Sequence, residues 1–179
     1  VPGDAVRVAS LLSLLVAAVT HGGVAGPLFL LVLGGTMIPR ALGLPDPLDV
    51  AYGTTLLVAA WAAQLDWYVT VPGLDLGVHA VATGLVAAVA HLTLTRLGVV
   101  PPADSPGLLR PRLGVAVVTV ALGLALATVW ELGEWAGHTF LDDRIQVGYA
   151  DTVGDLLAGA AGTLVAAVLL SRRQSADAR

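Results

Sequence analysis

Three short patterns in this 179-residue chain combine acids and histidines at helical spacing. Asp75 and His79 lie four residues apart, as do Asp151 and Asp155, and Glu131, Glu134 and His138 recur at intervals of three and four. Residues at these spacings share one face of a helix, so each pattern presents its side chains together. Carboxylates and imidazoles converging from facing helices are the donor set of carboxylate-rich metal centres in helix bundles. The chain has no Cys. Oxygen and nitrogen donors remain, and they suit a divalent ion such as Zn, Mn, Fe or Mg. The candidate metal ligands are Asp75, His79, Glu131, Glu134, Asp151 and Asp155. Glu134 is also the candidate catalytic base, because an ion that activates water works beside a group that takes the proton.

Each pattern has a plainer reading. Asp75 and Asp151 begin helices, where an acid caps free N–H groups and meets the positive end of the dipole. Glu131 and Glu134 precede a helix C-terminus, where the dipole disfavours anions, so capping does not account for them. His79 alone would read as a hydrogen-bonded core histidine. His138 reads as an interfacial residue, and His21, His91 and Asp66 as interfacial or structural.

The elements that carry these residues are apolar. Hydrophobic residues make up 56% of the chain and charged residues only 12%, against roughly 25% charged in soluble domains. The apolar runs match the roughly 20 residues that cross a bilayer as a helix and lack the alternation of barrel strands. The expected fold is all-α: a polytopic membrane bundle of about six transmembrane helices. They are placed at Ala5 to Val19, Ala25 to Ile38 or Leu42, Leu48 to Trp67, Asp75 to Leu97, Arg112 to His138 and Asp151 to Leu170. Pro45 and Pro47, the Val71-Pro72-Gly73 turn, the Pro-rich stretch Val100 to Pro111 and the Asp142-Asp143-Arg144 loop separate them. The first run is read as a retained helix rather than a signal sequence. One transmembrane domain thus covers residues 1–171, followed by a polar cytoplasmic tail at 172–179.

All nine basic residues are Arg. With six spans, Arg7, Arg40, Arg96, Arg110, Arg112, Arg172, Arg173 and Arg179 fall on one side and Arg144 on the other, so both termini are expected in the cytoplasm of a multi-pass inner-membrane protein. Glu131 then lies roughly 28 Å along its helix from Arg112, at the outer boundary, level with the starts of the helices that carry Asp75 and Asp151. A charged side chain inside the bilayer costs about 2.5–3.5 kcal/mol, so acids gathered at one depth need a cation.

Other features read as structural. Gly154, Gly159 and Gly162 suit close helix packing, and Trp61, Trp67, Trp130 and Trp135 suit interfacial belts. No basic patch fits nucleic acid. No Ser-His-Asp arrangement and no phosphate-cradling loop are found.

At the acid and histidine patterns the chain resembles the YjdF family of small bacterial inner-membrane proteins. The matching motifs are Asp75-Leu76-Gly77-Val78-His79, Trp130-Glu131-Leu132-Gly133-Glu134-Trp135, and Gln146 followed by Asp151-Thr152-Val153-Gly154-Asp155. The resemblance covers roughly the last 120 residues. Family members often carry a further Asp soon after the Gln, where this chain has Val147-Gly148-Tyr149, and an aromatic after the His, where it has Ala80. The resemblance implies the helix count and the polar site, but it names no reaction.

Three functions compete. The leading one is a metal-dependent membrane hydrolase acting on a lipid or lipid-linked substrate, with membrane lipids as its surroundings and no nucleic-acid partner. The second is a cation or proton transporter; the Ala, Val, Leu and Gly of the inner helix halves speak against a through-path. The third is a non-catalytic membrane complex subunit, with the polar cluster as interhelical glue.

Overall fold

The computed structural model describes residues 2–176. Residues 177–179 of the expected tail, with Arg179, lie outside the described residues. Among the described residues there are seven helices and no strand: α1 Pro2–Thr20, α2 Ala25–Ala41, α3 Asp46–Gln64, α4 Trp67–Thr70, α5 Leu74–Arg96, α6 Pro111–Phe140 and α7 Tyr149–Ala176. The all-α expectation holds. Four of these helices, α1, α5, α6 and α7, are long and apolar enough to cross a membrane. The 17-residue α2 is shorter, and α3 carries Asp46 and Asp49 in its first turn.

Local chemistry sets the boundaries. Pro111 opens α6 and Pro47 sits in the first turn of α3, where a missing N–H leaves no broken bond. Gly43 and Gly98 adopt positive φ of 60° and 72°, closing α2 and α5 by the same device. Gly43 N–H donates to the Arg40 carbonyl and Leu44 N–H to that of Pro39; Gly98 and Val99 repeat this onto Thr95 and Leu94. This is the paired bonding that a glycine in left-handed conformation allows past a helix end. One expected helix is broken: the run placed at Leu48 to Trp67 ends at Gln64, because Asp66 takes a φ of 54° and starts the short α4.

The six long helices form two three-helix units. In the first, α1 and α3 run parallel, since Arg7 meets Asp49 and Ser13 meets Trp61. α2 runs against them, with Thr36 beside Gly53 and Phe29 beside Trp61. In the second, α5 and α7 run parallel, with Leu76 beside Gly154 and Thr83 beside Gly159. α6 runs against both, with Glu131 beside His79, Gly123 beside Thr163, and Thr119 beside His91. The units join where Tyr52 and Leu44 pack on Val89. Because α5 reverses the direction of α3 through the short α4, the second unit is an inverted counterpart of the first, an arrangement recurrent in helical membrane proteins.

Polarity is also inverted relative to a soluble bundle. Arg7, Ser10, Thr36, Asp49, His91 and Thr119 are buried, while Leu15, Leu30, Leu31, Val129, Leu157 and Leu164 are exposed. Such extensive exposed apolar surface belongs against lipid rather than water.

Candidate metal centre

In both units the polar groups gather where the two outer helices begin and the middle helix ends. In the first unit, Arg7 on α1 binds both oxygens of Asp49 on α3, each at 2.7 Å, and donates to the Thr36 carbonyl on α2 at 3.0 Å. Asp4 accepts a further bond from Arg7 at 3.0 Å. Arg7, read from the sequence only as one of the arginines that set the orientation, is buried in an ion pair. This unit contains its own cation.

The second unit has acids in the same positions around a histidine. His79 Nε2 lies 3.5 Å from Asp75 Oδ1 and 3.9 Å from Asp155 Oδ2, and Nδ1 lies 3.9 Å from Glu131 Oε1. Two sets of donor atoms come within 4.8 Å of one another: Asp75, His79 and Asp155, and His79, Glu131 and Glu134. His79 belongs to both. Among the described residues, no Arg pairs with these acids. Asp155 is buried, and its Oδ1 has no hydrogen-bond partner.

Small residues make this convergence sterically feasible. A methyl built on Gly84 would stand 2.7 Å from the Gly162 carbonyl oxygen, and one on Gly162 would overlap the Ala80 carbonyl. These backbone contacts draw α5 and α7 together one to two turns from His79. The close-packing reading of Gly159 and Gly162 is thus met, with Thr83 Oγ1 lying 3.0 Å from where a Gly159 methyl would be.

The remaining expected ligand, Asp151, is half-buried, one turn before Asp155 and in neither donor set. It lies within electrostatic reach of Asp75 and Glu131. It also lines an open cleft with His138, Asp143, Arg144, Ile145, Gln146, Val147 and Gly148. His138, expected at the interface, is half-buried: its Nδ1 donates to the Ile145 carbonyl at 2.7 Å, which ties the loop after α6 across the helix end. Arg144 binds both oxygens of Asp142, at 3.0 and 2.7 Å. Its side-chain and backbone bonds hold the Asp142 carboxyl down at about 2.

Some neighbours were not singled out from the sequence. Tyr68 on α4 donates to the Ala59 carbonyl at 3.1 Å and has Asp75, Glu134 and Asp155 as electrostatic neighbours. Thr152 is an electrostatic neighbour of Glu131, and Trp130 of Glu134. Tyr68 follows a helix break, which periodicity does not reveal; Thr152 sits inside the Asp151–Asp155 motif and was available to notice. Trp61 donates to Ser13 at 2.9 Å and packs on Phe29. His21 contacts Thr20 and the Trp61 ring, and Asp66 is exposed at the α3–α4 break; both lie outside the donor sets.

Apolar helices around a buried acid and histidine centre define a multi-pass α-helical membrane protein. The chain belongs to the family described as "Predicted membrane protein (DUF2238)", whose model matches residues 6–176. The YjdF resemblance agrees with this assignment. No curated protein and no solved structure matches the chain.

Proposed function

We propose that the protein is a metal-dependent membrane hydrolase whose divalent ion is held by Asp75, His79 Nε2 and Asp155, with Glu131 and Glu134 on the Nδ1 side of the ring and Glu134 as general base. The observation that carries this reading is the convergence of four carboxylates from three helices on one imidazole. The internal comparison supports it: the first unit neutralises its acids with Arg7, and the second has no equivalent guanidinium. Donors about 2.1 Å from a tetrahedral ion stand about 3.4 Å apart, so the 3.5 and 3.9 Å spacings from His79 Nε2 to Asp75 and Asp155 need little closure. An ion there would polarise a carbonyl or phosphoryl oxygen and activate water. Glu134, beside Glu131 in the second donor set around His79, would take the proton. Asp151 would act from the mouth, orienting the group that enters through the cleft.

The chemistry is hydrolytic in this reading because a divalent ion beside a carboxylate base polarises an ester or phosphoryl oxygen and activates water. The substrate class is a lipid or lipid-linked molecule, since the centre lies at the end of apolar helices where a headgroup meets water. We also propose six spans with both termini in the cytoplasm of the inner membrane. Support comes from the alternating direction of the six long helices, which puts Arg40, Arg96, Arg110 and Arg112 at the end opposite His79. The 17 residues of α2 reach about 25 Å and the 19 of α3 about 28 Å, close to the roughly 30 Å hydrocarbon thickness.

The test is hydrolysis. Purified protein loaded with Zn or Mn is incubated with a bacterial polar lipid extract in mixed micelles, and products are followed by mass spectrometry. The expected result is a product that disappears with chelator and in Glu134→Gln. An unchanged lipid profile with the metal-loaded protein would contradict the reading.

A further inference from the structure

The open cleft beside the metal centre, about 370 Å³ in volume, lies between the end of α6, the loop that follows and the start of α7. Its lining carries charge of both signs: a guanidinium from Arg144, and carboxylates from Asp143 and Asp151. His138 and Gln146 add neutral polar groups.

Each group has capacity to spare. The clasp on Asp142 uses two side-chain N–H groups of Arg144, and a guanidinium has five. The Arg144 side chain is 80% exposed, so the other donors are open to an incoming anion. His138 gives its Nδ1 proton to the Ile145 carbonyl, which leaves Nε2 as an acceptor. Asp142 neutralises Arg144 within the clasp, whereas Asp143 and Asp151 remain uncompensated. Behind Asp151, and within its electrostatic reach, lie Asp75 and Glu131. A field of this sign repels a net anion and favours a group that brings its own positive charge. A ligand that uses both walls therefore has an ammonium for the acids and His138, and an anionic group for Arg144.

The depth of the cleft identifies the anionic group. The 30 residues of α6 reach about 45 Å, beyond the roughly 30 Å hydrocarbon core. With Arg110 and Arg112 at the start of α6, its last turns stand among lipid headgroups. Exposed aromatics flank the cleft there: Trp135, edge-on to Phe140 at 5.9 Å, and Tyr149 at the start of α7. Such rings settle at the membrane–water interface. The anion at that level is the phosphodiester of a phospholipid.

We propose that this cleft binds the headgroup of a zwitterionic aminophospholipid of the phosphatidylethanolamine type. Arg144 holds the phosphate, and Asp143, Asp151 and His138 Nε2 accept from the ammonium. As a statement of substrate this rests on the hydrolase reading, because Asp151 joins the cleft to the metal centre; the binding itself needs no ion.

The test uses the full chain in detergent micelles, stripped of metal by chelator so that nothing is turned over. Short-chain phosphatidylethanolamine, phosphatidylcholine and phosphatidylglycerol are titrated in, and bound lipid is counted by native mass spectrometry. Phosphatidylglycerol has no ammonium, and the ammonium of phosphatidylcholine has no N–H. Wild type should hold phosphatidylethanolamine about tenfold tighter than either, the factor of one charge-assisted hydrogen bond. Asp143→Asn, in an exposed loop, should weaken phosphatidylethanolamine and spare phosphatidylglycerol; Arg144→Gln should weaken both. Either competing lipid bound as tightly as phosphatidylethanolamine, or a preference kept in both Asp143→Asn and Asp151→Asn, overturns the proposal. Glycerophosphoethanolamine, the headgroup without chains, should bind more weakly; if it matches the lipid, the ligand is a soluble phosphoamine and the lipid assignment falls. Phosphatidylethanolamine bound by the metal-free protein but left intact by the metal-loaded one ends the hydrolase reading alone. Hydrolysis of phosphatidylglycerol without this preference ends the present proposal alone.

Discussion

His79 Nε2 stands 3.9 Å from Oδ2 of Asp155, while the other oxygen of that buried carboxylate has no partner. A carboxylate half-used by an imidazole and half-unsatisfied in an apolar interior is costly unless a further positive group completes it.

Metal should stabilise the fold through this pair. An ion at 100 times its dissociation constant adds about 2.7 kcal/mol of stability. Thermal unfolding of wild type in detergent should therefore shift upward when Zn or Mn is added. Asp155→Asn should lose the shift while keeping the shape of the side chain. An equal shift in both proteins would place the ion elsewhere.

Breaking the ion pair of the first unit should destabilise the protein and leave the metal centre intact. Arg7→Ala abandons Asp49, whose side chain is only 6% exposed, and removing one partner of a buried pair costs about 3–5 kcal/mol. Replacing both, as Arg7→Met with Asp49→Leu, should recover most of that. Denaturation in mixed micelles measures the first, and metal content the second. A double variant as unstable as Arg7→Ala would contradict the pairing.

Glycine contacts between α5 and α7 should control ligand geometry. In Gly162→Ala the added methyl would overlap the Ala80 carbonyl, and overpacking of this kind costs typically 1–3 kcal/mol. It should also weaken metal binding by moving Asp155 away from His79. Gly133→Ala, on the open face of α6 with nothing within 4 Å, should instead gain up to about 1 kcal/mol from helix propensity. Matched melting and metal titrations of the two variants check both signs.

The Arg144–Asp142 clasp should survive mild acid. Asp142, bonded by Arg144, is held down at about 2 in the folded chain, against roughly 3.9 when unfolded. Its folded value is the lower one, so its stabilising effect is complete above the unfolded value and is lost as pH falls toward 2. Carboxyl-carbon NMR should give a midpoint near 2 for wild type, moving into the ordinary range in Arg144→Ala. No movement would show that Arg144 is not the cause.

Much of this organisation was legible before any coordinates. Asp75 with His79, and Asp151 with Asp155, each announced one helix face because spacing of four is a local property. Their joining with Glu131 required the depth argument from Arg112. The break at Asp66 was hidden, because a single left-handed residue leaves no trace in hydropathy. The ion pair of Arg7 was not foreseen, because its partner Asp49 lies 42 residues away. His91, Thr119 and Thr163 are single residues within apolar runs, and only the packing reveals that they share an interior.

The central claim is that the second unit holds a cation where the first holds Arg7. Elemental analysis of protein purified without chelator, in wild type and His79→Ala, tests it most directly. The account predicts about one divalent ion per chain in wild type, as a preformed site should retain through purification, and near-background metal in His79→Ala. Wild type without a stoichiometric ion, or His79→Ala with the same loading as wild type, would contradict it.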